Sequence, residues 1–235
     1  MMYEWKTEHI RFMRDAAAYG NYHQKLAEKL LPHLKQGGRI CDAGCGMGYL
    51  TQALLPYFSE VTACDISAKA LDELRYRAGG ESNLRTICGD IADNPPTVPY
   101  DGMVFCLFGA PGLVLRVAKQ QCSGVVCVIC RGSLRHRFSI GEEVLHTDGV
   151  GNLEQLLKKN VIPFSREEFT PEFGQPFRTR QEAVAFFRLY NCGDASPTEE
   201  DVAAQLTETG RTDFPFYLPQ KKDLALLCFD SRDIP

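Results

Sequence analysis

The stretch Asp42-Ala43-Gly44-Cys45-Gly46-Met47-Gly48 decides how this chain reads. The short apolar run Arg39-Ile40-Cys41 precedes it, and Tyr49-Leu50-Thr51-Gln52-Ala53-Leu54-Leu55, a helical pattern stopped by Pro56, comes after it. A strand therefore enters a glycine turn and a helix leaves it. Glycines permit a tight turn and let the backbone approach a ligand closely. The helix offers unpaired N–H groups to an anion or carboxylate. Alone, such a turn would be a structural bend. Here Glu60-Val61-Thr62-Ala63-Cys64 forms a second strand ending at Asp65, where an acid can accept hydrogen bonds from both hydroxyls of a ribose. The dinucleotide pattern Gly-x-Gly-x-x-Gly would need a glycine at position 49, and Tyr49 stands there. That counts against a nicotinamide oxidoreductase.

Outward from this unit the alternation continues. Ser67 has the character of an N-cap for a helix from Ala68 to Ala78. Leu84–Cys88, Gly102–Leu107 and Gly124–Cys130 read as strands, the last two as near-continuous apolar runs. Such runs indicate a parallel sheet covered on both faces. Before the glycine turn, residues 4–34 have helical spacing, broken at Gly20-Asn21. After Cys130 the alternation is lost. A short helix is expected around Leu153–Leu157, a strand within Phe164–Phe173, helices over Gln181–Tyr190 and Glu199–Thr209, and a closing strand over Asp223–Phe229.

The 235 residues are 44% hydrophobic and 24% charged, with net charge −4. Disorder is excluded by the ordinary hydrophobicity and low net charge, and the acidic balance argues against a domain built to hold nucleic-acid phosphates. No stretch approaches the ~20 apolar residues of a spanning helix, and the start of the chain lacks a basic end leading into an apolar run. A cytoplasmic location, free thiols and no metal site are expected. The ten cysteines fall below the roughly 8–10% of a disulfide scaffold. Cys41, Cys64, Cys88, Cys106, Cys127, Cys130 and Cys228 lie on expected strands, where a thiol acts as a small buried apolar group. Cys127 and Cys130 are three apart on a strand and point to opposite faces.

The chain resembles the class I S-adenosylmethionine-dependent methyltransferases. The resemblance rests on Asp42 to Gly48, Cys64-Asp65-Ile66-Ser67, Cys88-Gly89-Asp90-Ile91 and Tyr100-Asp101 leading into Met103–Leu107, in the family's order and spacing, and covers residues 35–131. It implies a seven-stranded, Rossmann-like α/β sheet, mostly parallel with an antiparallel last strand and helices on both faces. It also implies S-adenosylmethionine as cofactor. Gly44, Cys45 and Gly46 would lie against its methionine part, Asp42 would orient its amino group, Asp65 would hold the ribose, and Ile66 would pack on the adenine. Asp90 would accept from the adenine amine with Ile91 beside it, and Cys106 and Leu107 would border the reactive methyl. Plain alternatives stand beside these roles: Asp90 as a helix cap, and Ile66 and Ile91 as core residues. The chain reads as one methyltransferase domain, 1–235, with N-terminal helices over the cofactor at 1–36, the cofactor core at 37–131, and helical cap elements with the last strands at 132–235.

The acceptor is less legible. Asp93-Asn94-Pro95-Pro96 resembles the Asn-Pro-Pro-aromatic signature of amino-methylating nucleic-acid enzymes, but Thr97 replaces the aromatic and the motif precedes the fourth strand instead of coming after it. Directly after that strand stands Phe108-Gly109-Ala110-Pro111, which has no acid or amide to grip an amine. A small-molecule acceptor is therefore the reading. A nucleic-acid or protein acceptor, or a non-catalytic cofactor-binding subunit, stands as the alternative. Trp5, Tyr19, Tyr22 and His23 in front, and Arg131, Arg135, His136, Arg137, Phe186 and Phe187 behind, are candidates for the acceptor side. His136, Tyr22 and His23 are the candidate catalytic groups, needed only if the acceptor must lose a proton.

Overall fold

The computed structural model describes residues 5–133, 138, 145 and 149–235. Helices α1 (Thr7–Tyr19) and α2 (Tyr22–Leu30) break at Gly20-Asn21, as the spacing predicts. The core then alternates through β1 (Arg39–Ala43), α3 (Tyr49–Leu54), β2 (Glu60–Asp65), α4 (Ala68–Ala78), β3 (Leu84–Cys88), β4 (Tyr100–Cys106), α5 (Pro111–Gln121) and β5 (Cys122–Arg131). The Ser67 hydroxyl accepts from the Ala70 N–H and starts α4. Helix α5 is unmarked by the hydropathy pattern. It starts on Pro111, whose fixed φ suits a first helical position. The rest comprises α6 (Val150–Lys159), β6 (Ser165–Phe169), β7 (Gln175–Phe177), α7 (Arg180–Tyr190), α8 (Glu199–Ala203), β8 (Thr207–Glu208), β9 (Phe216–Leu218) and β10 (Leu224–Asp230).

The main sheet has seven strands in the order β3-β2-β1-β4-β5-β10-β6. Strand β10 runs antiparallel to both β5 and β6, and the pairs from β3 to β5 are parallel. The expected mostly parallel sheet with an antiparallel last strand is present. Both faces are buried, which is why the strands read as continuous apolar runs. Met103, Phe105, Val126, Val128, Leu227 and Phe229 pack on one face with α5 and α6. Val104, Cys127, Ile129, Leu226 and Cys228 pack on the other with α2 and α3. The chain order reverses at β1, whose neighbours are β2 and β4. At such a switch point the helices leaving the strand ends diverge and open a crevice at the C-terminal edge.

Three readings of the later chain change. The helix expected to reach Thr209 ends at Ala203, because Thr207 and Glu208 pair instead with Tyr217 and Phe216 of β9. The expected strand within Phe164–Phe173 narrows to Ser165–Phe169, leaving Pro171 outside the ladder where its missing N–H costs nothing. Besides the helical elements and last strands expected over 132–235, β7, β9 and β8 form a second sheet that the sequence does not signal. The aromatic cluster Phe12, Phe177, Phe186 and Phe187 joins that sheet to α1 and α7. A bidentate pair from Arg178 to the buried Asp15, at 2.6 and 2.8 Å, ties the same elements together.

All seven strand cysteines lie on strands, and Cys127 and Cys130 face opposite sides. Cys88 departs from the buried reading, because it sits on the edge strand β3 and is exposed. Cys127 meets Cys228 across the ladder with sulfurs 3.4 Å apart, a neighbour that sequence spacing cannot show. Cys88 and Cys192 are the exposed thiols. Titration of folded protein with a chromogenic disulfide should therefore show two fast thiols, absent one at a time in Cys88→Ser and Cys192→Ser. Seven or more fast thiols would contradict this packing.

Candidate functional site

The glycine loop lies at the switch point, between the ends of β1 and β2. Gly44, Gly46 and Gly48 take left-handed φ values of 69°, 54° and 69°, which residues with a side chain adopt only at a cost. The Cys64 carbonyl accepts from both Gly44 and Cys45 N–H, at 2.8 and 3.1 Å. The Asp65 carboxylate accepts from Gly46 N–H at 2.8 Å with one oxygen and from Ser67 N–H at 2.8 Å with the other. Asp65 is thus already oriented by backbone, and a carboxylate with two further lone-pair sites can accept hydroxyl donors as well.

The three glycines serve different neighbours. A Cβ on Gly48 would fall 2.6 Å from the Leu74 side chain, so that glycine allows α4 to close on the loop. A Cβ on Gly44 would fall 2.1 Å from the Phe108 ring, and one on Gly46 would fall 3.0 Å from the Trp5 ring. Two glycine faces therefore accept flat groups. Cys45 turns its thiol away, against the cluster of Ala63, Leu71 and Leu74, and burial raises that thiol well above its ordinary range. Its place in the site is held by its backbone.

Asp42 is 1% exposed. Its Oδ2 accepts from the Thr51 hydroxyl at 2.6 Å. Burial pushes its pKa up to about 6; the Thr51 hydrogen bond opposes this and Asp65 adds to it. Thr51, on the buried side of α3, is a supporting residue that the sequence pattern does not single out. Its signal is a hydroxyl in the first turn of the helix after an acid-glycine loop. Cys106, at the end of β4, lies near Asp42, and burial pushes its thiol up to about 12. Leu107 comes next in a left-handed conformation, with φ 54°.

The adenine-side candidates separate. Ile66 is 47% exposed, an apolar face beside Asp65, whereas Ile91 is 2% exposed and part of the core under α5. The Asp90 carboxylate accepts from Ala92 N–H and caps a 3₁₀ turn at Ile91–Asp93.

The acceptor-side candidates separate too. His23 stacks on Tyr49 at 5.1 Å and meets Tyr22 and Phe173 edge-on. Burial, with Lys222 and Arg77 nearby, pushes its pKa down to about 3, so it is a neutral spacer and a weak base at pH 7. Tyr22 stacks on Phe173 and, with Tyr19, Lys25, Glu172 and Tyr217, lines a cavity of about 360 Å³ between the α1–α2 junction and the small sheet. Phe186 and Phe187 are core residues. Arg135, His136 and Arg137 lie outside the described residues. Arg131 lines a second cavity, of about 520 Å³, at the C-terminal ends of β4 and β5. Leu107, Phe108, Pro111, Val114, Ile129, Cys130 and Leu153 form most of its remaining wall. No group of His, Cys, Asp or Glu suited to a metal ion occurs among the described residues.

A methyltransferase domain model matches residues 40–131. The chain is 34% identical over 109 residues to a malonyl-(acyl-carrier protein) O-methyltransferase of Acetivibrio thermocellus, covering 43% of this chain and 38% of that protein. It is 32% identical over 127 residues to ribosomal RNA small subunit methyltransferase C of Salmonella arizonae, covering 48% and 35%. The chain thus spans well under half the length of these curated relatives. Among solved structures it is similar to the YcgJ protein of Bacillus subtilis, with TM-score 0.56, 13% identity and 90% and 98% of the two chains covered. It is also similar to the N-methyltransferase NodS of Bradyrhizobium japonicum, solved with S-adenosyl-L-homocysteine, with TM-score 0.51, 12% identity and 96% and 98% covered. At these identities the likeness establishes the fold.

The raised pKa of Asp42 has a stability consequence. An unfolded aspartate titrates near 3.8 and the folded one near 6, so between these values the folded state holds the extra proton and stability falls as pH rises. Above about 6 the whole cost remains. Asp42→Asn keeps an acceptor for Thr51 and should be about 1–3 kcal/mol more stable than the parent at pH 7, with the advantage gone at pH 3.5. Urea unfolding at both pH values checks this; an advantage of equal size at the two would refute the assignment.

Proposed function

Because the chain belongs to the class I S-adenosylmethionine-dependent methyltransferases, we propose that it transfers the methyl group of S-adenosylmethionine to a small-molecule acceptor held in the cavity beside Phe108. The observation that carries the acceptor half is that cavity, about 520 Å³ and concave, where apolar side chains stand beside the polar Arg131 and Asn152, at the C-terminal ends of β4 and β5 and adjoining the glycine loop through Phe108. Pockets for small ligands have this size and lining. The net charge of −4 and the lack of an amine-gripping motif after β4 agree with it.

The donor set suits the cofactor. Asp42 offers a buried carboxylate to an ammonium, and such a partner would favour its charged form. Asp65 offers its remaining lone pairs to ribose hydroxyls, and Ile66 offers an exposed apolar face to a purine. The Asp90 carboxylate, at the turn after β3, is placed to accept from an exocyclic amine while it caps that turn. Gly44 and Gly46 admit close approach to the loop backbone, an approach made in this structure by the Phe108 and Trp5 rings.

S-adenosylmethionine supplies a methyl group already activated on a sulfonium sulfur. The protein's work is then alignment and exclusion of water, and proximity alone can lower the barrier by several kcal/mol. Cys106 and Leu107 border the meeting point from β4. The Cys106 thiol stays protonated at neutral pH and takes no proton. His23 is a weak base there. Neither group is therefore suited to take a proton from an acceptor at neutral pH.

Calorimetry with S-adenosylhomocysteine should show one site. Asp65→Ala should weaken binding about 10- to 100-fold, the loss expected of a charge-assisted hydrogen bond or two, and Asp65→Asn should weaken it less because it keeps an acceptor. Unchanged affinity in Asp65→Ala would refute the cofactor assignment. The acceptor is tested separately, by incubating methyl-labelled donor with fractionated cell extract. Label should enter the low-molecular-weight fraction. Label in RNA or protein alone would overturn the small-molecule reading, and no label with intact binding would favour a non-catalytic subunit.

A further inference from the structure

One residue takes part in both halves of the site. The Phe108 ring lies on Gly44 so closely that a Cβ there would sit 2.1 Å from its Cγ. The same residue lines the cavity of about 520 Å³ on its other side. The ring covers the face of Gly44 on which a Cβ would stand, and nothing else can lie on that face until the ring leaves.

The backbone around Phe108 is built to let the ring move. Leu107 before it has φ 54° and Gly109 after it has φ 87°. A leucine in the left-handed region is uncommon and costs energy, and such strain gathers at sites where conformation matters. Leu107 is pinned by its N–H to the Ile129 carbonyl at 2.8 Å, and α5 begins at Pro111. Phe108 and its two neighbours therefore form a short arch between two fixed points. Phe108 is 37% exposed. Its stacking partner Phe105 is parallel but distant, with centroids 6.5 Å apart. The Phe108 ring is therefore less enclosed than core rings such as Phe105, which is fully buried. The cavity behind it has room to receive it.

We propose that Phe108 is a gate between the two halves of the site, resting on Gly44 until the cofactor enters and then swinging to the cavity wall. The proposal rests on the cofactor reading above. It has two consequences for the reaction. Cofactor binding competes with the ring, so its apparent affinity is reduced by the fraction of molecules with the gate shut. Displacing the ring also narrows the acceptor cavity and brings a flat apolar wall to it, so the acceptor-binding surface is complete only after the cofactor is in place. This makes binding ordered, cofactor first.

The first test needs no ligand. In protein labelled selectively at glycine and phenylalanine, Overhauser contacts should join the Gly44 α-protons to a phenylalanine ring. Loss of these contacts in Phe108→Leu, with their retention in Phe105→Leu, assigns the ring. Saturation with S-adenosylhomocysteine should abolish the contact. A contact absent in the free protein, or one that persists in the saturated complex, overturns the gate. Second, Phe108→Ala should bind S-adenosylhomocysteine about 3- to 10-fold more tightly than the parent, the gain expected when a minor open state becomes the only state. Equal or weaker binding, with a cooperative thermal transition showing that the variant folds, also overturns it. Trp5, the sole tryptophan, sits over Gly46 and reports binding independently through its emission. Failure of parent and variant alike to bind S-adenosylhomocysteine would sink the cofactor reading instead, while the contact in free protein would still stand or fall on its own.

Discussion

The site depends on how the end of β2 holds the glycine loop. One carbonyl, that of Cys64, accepts from Gly44 and Cys45, and one carboxylate, that of Asp65, accepts from Gly46 and Ser67. These four bonds satisfy backbone donors that the left-handed turn would otherwise leave unpaired near the core. They also fix where β1 stops, how α3 starts, and which way the Asp65 carboxylate points. Parallel register between β1 and β2, with Ala43 opposite Cys64, puts donors and acceptors at the same level. A loop of other residue types could not hold this shape, because Gly48 must admit Leu74 while Gly44 and Gly46 must admit flat rings.

The charges are arranged at a cost to stability. Burial raises the pKa of Asp42, and the nearby Asp65 charge raises it further. Thr51 offsets part of this through a 2.6 Å hydrogen bond. A buried carboxylate is unfavourable for folding alone, and binding sites commonly hold groups that folding would not choose. The Leu107 backbone belongs to the same pattern. His23 shows the opposite choice: surrounded by rings and two cations, it is kept neutral and serves packing.

The division of labour reflects the topology. The methyltransferase domain model matches residues 40–131, the part running from β1 to the end of β5, where the sheet itself sets the loop, Asp65 and Asp90 in place. The cavity beside Phe108 is lined mainly by residues 107–131, with Gly149, Asn152 and Leu153 added from the start of α6. Relatives whose names give different acceptors are similar to part of this chain, as expected where one fold carries sites of different chemistry.

Hydropathy, glycine placement and capping residues in the sequence by themselves determined the succession of strands and helices in the core apart from α5, the break between α1 and α2, and the Ser67 cap. Those features are local, or repeat with the period of the element that carries them. The sequence also separated Cys127 from Cys130, because alternation along a strand needs no tertiary information. What it left open was non-local. The pairing of Thr207-Glu208 with β9 overrode a helical pattern, and Cys228 came beside Cys127 across a ladder between residues far apart in the chain. Ile91 and Ile66 look alike in the sequence, yet one is in the core and the other at the surface, since burial depends on which helix covers each strand end. Only the tertiary structure placed the Phe108 ring on Gly44, because that contact joins the ends of two parallel strands that meet only when the sheet is assembled.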